Sequence, residues 1–170
     1  MLILWLLVIV YYDVSWRRVP NQLLLAAMVW QGVNWLVFHT GLFDISLESA
    51  VLGFVVSLVV FLPLYVFRLM AAGDVKFFAV LGLLLGPVSL LPIFVIGSLL
   101  AGVHALLYKT LHTGNAFLLH LLLVQMQRGR FVRYILQKLD ARTGLPYAAY
   151  LAIGAIAVVV YTQASWWLPY

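Results

Sequence analysis

Residues 75–111 read VKFFAVLGLLLGPVSLLPIFVIGSLLAGVHALLYKTL, and the number of helices they make decides the fold. A helix crossing about 30 Å of hydrocarbon needs roughly 20 residues at 1.5 Å each. Pro cannot continue a regular helix, because it lacks the N–H and its ring crowds the preceding turn. The first apolar piece therefore ends at Gly86-Pro87. We read 75–87 and 89–111 as a tight helical hairpin, with a single kinked helix as the alternative.

Outward from this hairpin, apolar runs at 1–14, 22–40, 48–69 and 146–168 complete the pattern. The expected fold is all-α: a polytopic membrane protein of about six transmembrane helices, with helices 4 and 5 forming the hairpin. Runs 22–40, 48–69, 89–111 and 146–168 have the length to span, whereas 1–14 and 75–87 are short. The first is short because the recorded start truncates it, or because its helix continues past Asp13.

Charge arbitrates between six spans and five. With six, all ten Lys and Arg residues (17, 18, 68, 76, 109, 128, 130, 133, 138 and 142) fall at cytoplasmic ends or in cytoplasmic loops. The outer loop His39–Glu48 carries only Asp44 and Glu48. Positive charge concentrates on the inside of membrane proteins. Five spans would put the N-terminus inside and strand Arg17 and Arg18 outside. Six spans then bring Asp13, at the end of helix 1, and Asp74, at the start of helix 4, to the same cytoplasmic face.

Composition agrees. Of 170 residues, 66% are hydrophobic and 9% charged, against about 45–50% and 25% in soluble domains. The chain reads as one integral membrane domain, 1–170, with a basic cytoplasmic segment at about 112–145. That segment resembles either an amphipathic helix on anionic lipid or a basic connecting loop. The net charge of +5 follows from topology and implies a lipid bilayer as partner, with no nucleic acid. The absence of cysteine excludes disulfides, thiolate metal sites and a cysteine nucleophile. No cleavable signal peptide is expected, since no basic residue precedes the first run and no A-x-A-like site follows it.

An ionisable side chain at membrane depth costs about 2.5–3.5 kcal/mol on insertion scales and is a functional candidate by default. Two carboxylates suffice for peptide hydrolysis without metal or cofactor. The ionised one takes a proton from water; the neutral one donates to the scissile carbonyl. Such a pair titrates as a unit. The macrodipole favours an anion at the start of helix 4 and disfavours one at the end of helix 1. On that basis Asp74 is expected to be the base and Asp13 the protonated partner. The plainer roles are a helix cap for Asp74 and an (i, i+4) ion pair with Arg17 for Asp13, and both are compatible with catalysis.

Gly73-Asp74-Val75-Lys76 resembles the G-x-G-D-x-K signature of type IV prepilin peptidases. Asp13, followed by Arg17-Arg18-Val19-Pro20-Asn21, resembles that family's first motif. Leu145-Pro146-Tyr147, opening the last helix, also fits, and the resemblance runs through nearly the whole chain. It implies an aspartic endopeptidase of the bacterial inner membrane that cleaves the basic leader from prepilins or pseudopilins at the cytoplasmic face, in type IV pilus assembly or protein secretion. Asp13 and Asp74 map to the catalytic pair. Gly73 would let backbone approach closely, Lys76 would be a supporting charge, and Arg17, Pro20 and Asn21 are supporting residues of the first motif. The signature's first Gly is Ala71 here. Starting directly at helix 1 without cysteine, the chain resembles the short, peptidase-only form, in which methyltransferase activity is not expected.

No cofactor or metal is expected: His39, His104, His112 and His120 form no pattern such as H-E-x-x-H. A serine dyad of Ser98 with His104 has no motif behind it. Gly82-x-x-x-Gly86 and Ser98-x-x-x-Gly102 suit close helix packing, within the chain or between copies in a homo-oligomer. Trp166, Trp167 and Tyr170 resemble an interfacial aromatic belt. The rival reading is a small proton- or cation-coupled transporter using the same aspartates.

Overall fold

The structure, a computed structural model, describes residues 1–68, 70–112 and 146–165. Among these described residues it is all-α, with five α-helices: α1 Leu2–Trp16, α2 Asn21–Phe38, α3 Leu47–Val66, α4 Ala72–His112 and α5 Tyr147–Ser165. The basic segment at 112–145, apart from His112 itself, and the aromatic cluster Trp166, Trp167 and Tyr170 lie outside the described residues. The chain gathers into two compact units, Met1–Ser98 with Pro146–Tyr170, and Leu99–Leu145. Both aspartates belong to the first.

α1 continues past Asp13 to Trp16 and is closed by Arg17 in the left-handed region (φ 54°), whose N–H bonds the Asp13 carbonyl at 2.9 Å. Pro20 then opens α2, with its φ of −64° already suited to a helix start. Ser46 caps α3 by accepting the Ser49 N–H at 3.2 Å.

α4 is the element on which the fold turns. Gly86 adopts φ 73°, ψ 173° inside it, a backbone region open in practice only to Gly. Phe78 and Phe94 lie 16 residues apart, about 24 Å along one straight helix. Their ring centroids are 6.3 Å apart, and Phe61 of α3 packs on both at 4.2 and 5.1 Å. The chain therefore doubles back at Gly86 as a helical hairpin. Pro87 does not end the first arm as expected. It begins the second, where its missing N–H forfeits no helical bond. The arms are 72–85 and 87–112.

Small residues allow the close packing. Cβ atoms at Gly53 of α3 or Gly82 of α4 would each collide with the other's carbonyl oxygen, so two backbones touch there. The expected packing role of Gly82 holds, while Gly86 serves the turn. Inside sit Leu6, Ile9, Phe77, Phe78, Leu81, Leu84, Ile93 and Leu151. Outside, α3 presents Val51, Leu52, Val55, Val59 and Val60. The surface is thus apolar as well as the core.

By length and composition, Leu47–Val66 and Ala72–Lys109 are long and apolar enough to cross a membrane; Leu2–Trp16 and Tyr147–Gln163 are apolar but shorter. α2 is diluted by Asn21, Gln22, Gln31 and Asn34. Gln31 is fully buried and explains part of that polarity. Its Oε1 accepts the Leu42 N–H at 3.2 Å and its Nε2 donates to the Leu83 carbonyl at 3.4 Å, tying the α2–α3 connection to the hairpin bend.

Candidate active site

Asp13 is one of three buried polar side chains among the described residues, at 5% exposure. Its placement follows from a need of α5. The first N–H groups of a helix have no partner within it, and Pro146, which precedes α5, offers no side-chain acceptor. Asp13 supplies one from α1: its Oδ2 accepts the Ala149 N–H at 2.8 Å. A residue 136 positions earlier in sequence thus caps the last helix.

Asp74 comes to the same point from the other side. It is the third residue of α4, half-buried, and its carboxyl reaches back to the backbone N–H of Ala71. That is the reach of an acid in a capping box, one turn inside the helix rather than at the cap position itself. The Ala148 N–H lies within hydrogen-bonding reach of both carboxylates, and the charge of Asp13 acts directly on Asp74. The two aspartates share the amino end of α5.

This arrangement alters the division of labour expected from helix dipoles. Asp13 does sit near the carboxyl end of α1, but it also faces the amino end of α5. Both carboxylates therefore meet helix N-terminal N–H groups, and helix position does not distinguish base from acid. Among the described residues no three His, Cys, Asp or Glu side chains converge as a metal site. What the pair offers is proton transfer between two carboxyls.

Around the pair, Arg17 is half-buried, and its charge acts on Asp13 and on Tyr150. Its Nε and one terminal nitrogen are buried without a hydrogen-bond partner among the described residues, so Arg17 acts on Asp13 through its charge rather than through a bond from these two nitrogens. Pro20 positions the α1–α2 turn by accepting the Leu23 N–H at 3.1 Å. Lys76 and Asn21 are not gathered with the aspartates. Both are exposed and line one cleft with Leu24, Met28, Phe54 and Leu58. Lys76 is two residues from Asp74, about 200° around the helix. A Cβ at Gly73 would meet nothing within 4 Å, so no described atom fills the space beside it.

Sequence reasoning missed two contributors. Tyr147, the first residue of α5, has its phenol oxygen 2.9 Å from Ser98 Oγ, and the charge of Asp74 acts on it. The Ser98 hydroxyl is thereby engaged with a tyrosine. The backbone donors of Ala148 and Ala149 carry no side-chain signature; the one hint was Pro146, a helix start with nothing of its own to cap it.

The sequence model of the type IV leader peptidase family matches residues 1–106 of this chain, a stretch that includes both aspartates. No curated protein and no solved structure matches it.

Proposed function

We propose that this chain, which belongs to the type IV leader peptidase family, is a multi-pass aspartic endopeptidase of the bacterial inner membrane. It cleaves the leader of prepilin or pseudopilin substrates at the cytoplasmic face. Family membership makes the chain a peptidase; the observation that carries the finer reading is the meeting of Asp13 and Asp74 at the amino end of α5. The valines and leucines facing outward from α3 suit lipid, since soluble monomers rarely expose contiguous apolar faces of this kind. Gly86 and its hairpin allow six crossings from five helices, with the arm 72–85 short for a full span.

In the reaction, one ionised carboxylate takes a proton from water as the water oxygen bonds to the scissile carbonyl carbon. The partner carboxyl donates a hydrogen bond to the carbonyl oxygen while keeping its proton, then delivers that proton to the nitrogen as the C–N bond breaks. Water is consumed, and the leader acid and a free amine leave. Because the two carboxyls end with their protonation states exchanged, one proton transfer between them or through water resets the site. No described atom lies within 4 Å of a Cβ at Gly73, which leaves an extended substrate backbone room to lie along Asp74. The transporter reading uses the same aspartates, and membership of a peptidase family favours hydrolysis over it.

Co-expression with a full-length type IV prepilin tests this reading. Wild type shortens the prepilin by its leader, whereas Asp13→Asn and Asp74→Asn, inserted to the same level, leave it intact. Processing by either variant overturns the mechanism.

A further inference from the structure

The carboxylate chemistry leaves two hydroxyls beside it without a task. Tyr147 opens α5, immediately before the two alanines whose N–H groups serve the aspartates. Ser98 stands on the second arm of α4. Their oxygens are 2.9 Å apart, and either can be the donor. Two hydroxyls sharing one hydrogen bond always leave one hydrogen over. With Ser98 donating to the phenol oxygen, the Tyr147 O–H is free to point elsewhere, and the change needs only rotation of two hydroxyl hydrogens. Tyr147 is half-buried rather than sealed, and it is close enough to Asp74 to feel that residue's charge.

We propose that Tyr147 donates a hydrogen bond to the carbonyl oxygen of the scissile peptide, and that Ser98 is a positioning residue that holds its phenol. Negative charge grows on that oxygen as water adds, and a fixed donor aimed at it stabilises the transition state more than the bound substrate. Tyr147 transfers no proton. Its hydrogen bond strengthens as the tetrahedral intermediate forms and weakens when the intermediate collapses. This frees the protonated aspartate to serve the leaving nitrogen alone. The inference rests on the peptidase reading.

The test uses the purified full chain in lipid nanodiscs with a full-length type IV prepilin as substrate, measuring kcat and KM separately. Tyr147→Phe keeps the ring and is expected to lower kcat by about 100- to 1000-fold, the range for losing one such donor, with KM little changed. Ser98→Ala is expected to lower kcat less. The double variant should be no slower than Tyr147→Phe, since Ser98 acts only through Tyr147. A Tyr147→Phe kcat within threefold of wild type overturns the proposal, as does a loss confined to KM. An independent, multiplying effect of Ser98→Ala also overturns it. Should Tyr147→Phe fail to fold, Ser98→Ala alone decides: a lowered kcat at constant KM supports the proposal, and an unchanged kcat overturns it. Wild type that cleaves while Tyr147→Phe cleaves equally well refutes this inference only. Wild type that does not cleave refutes the peptidase reading beneath it.

Discussion

Replacing Asp13 separates two duties that one carboxylate performs. Asp13→Asn removes the charge but keeps an amide oxygen where Oδ2 accepts the Ala149 N–H at 2.8 Å. Asp13→Ala removes the acceptor altogether. Ala149 is 1% exposed, so water does not replace the lost partner, and Pro146 has no side-chain acceptor to offer. A buried donor left unsatisfied costs about 1–3 kcal/mol. For a chain of this length each kcal/mol moves the unfolding midpoint by roughly 2–4 °C, which places Asp13→Ala about 2–12 °C below Asp13→Asn. Thermal unfolding of both variants in the same detergent, followed by tryptophan fluorescence, measures the difference. Both variants should be inactive, so activity does not confound the comparison. Equal midpoints would refute the assignment of Asp13 as the cap of α5.

The remaining predictions concern the bend, the far end of the bundle and the space beside Asp74. Gly86→Ala forces a side chain into φ 73°, ψ 173° and brings its Cβ 3.1 Å from Ser49 Oγ. It should lose about 1–3 kcal/mol of stability, while Gly32→Ala, whose Cβ meets nothing within 4 Å, should lose none by chemical or thermal unfolding. Gln31→Leu leaves the Leu42 N–H and the Leu83 carbonyl without their partner; it should destabilise the chain by about 1–3 kcal/mol with kcat unchanged, because it lies at the end opposite the aspartates. Gly73→Ala should fold at least as stably as wild type, since Ala is the better helix former, yet cleave prepilin roughly tenfold more slowly or worse by crowding the substrate backbone.

Much of the site was legible because it rests on local and topological constraints. Gly86-Pro87 announces an interruption in any apolar run, and the hairpin followed. Two carboxylates in so apolar a chain, each flanked by glycine, proline or basic residues, stand out without any structure. Helix polarity then sends them to the same end. What stayed hidden depends on tertiary partners that carry no side-chain signal. The Ala148 and Ala149 N–H groups are backbone, and from sequence any alanine looks alike, so the dipole assigned to Asp13 from α1 alone omitted α5. Gln31 drew no notice within the run 22–40, because an amide's partners are fixed only when the loop at Leu42 and the bend near Leu83 come together. Lys76 is a different case. The signature's resemblance implied a supporting charge beside Asp74, whereas Lys76 lies about 200° around the helix from it and lines the cleft with Asn21.

The cooperation of Asp13 and Asp74 is tested most directly by their double-mutant cycle on the rate of prepilin cleavage by the purified chain. If the two act as one unit, Asp13→Asn and Asp74→Asn should each reduce kcat by roughly 10⁴-fold or more, and the double variant should be no slower than either single one. Losses that multiply in the double variant, or a single variant that keeps cleavage within tenfold of wild type, would contradict it.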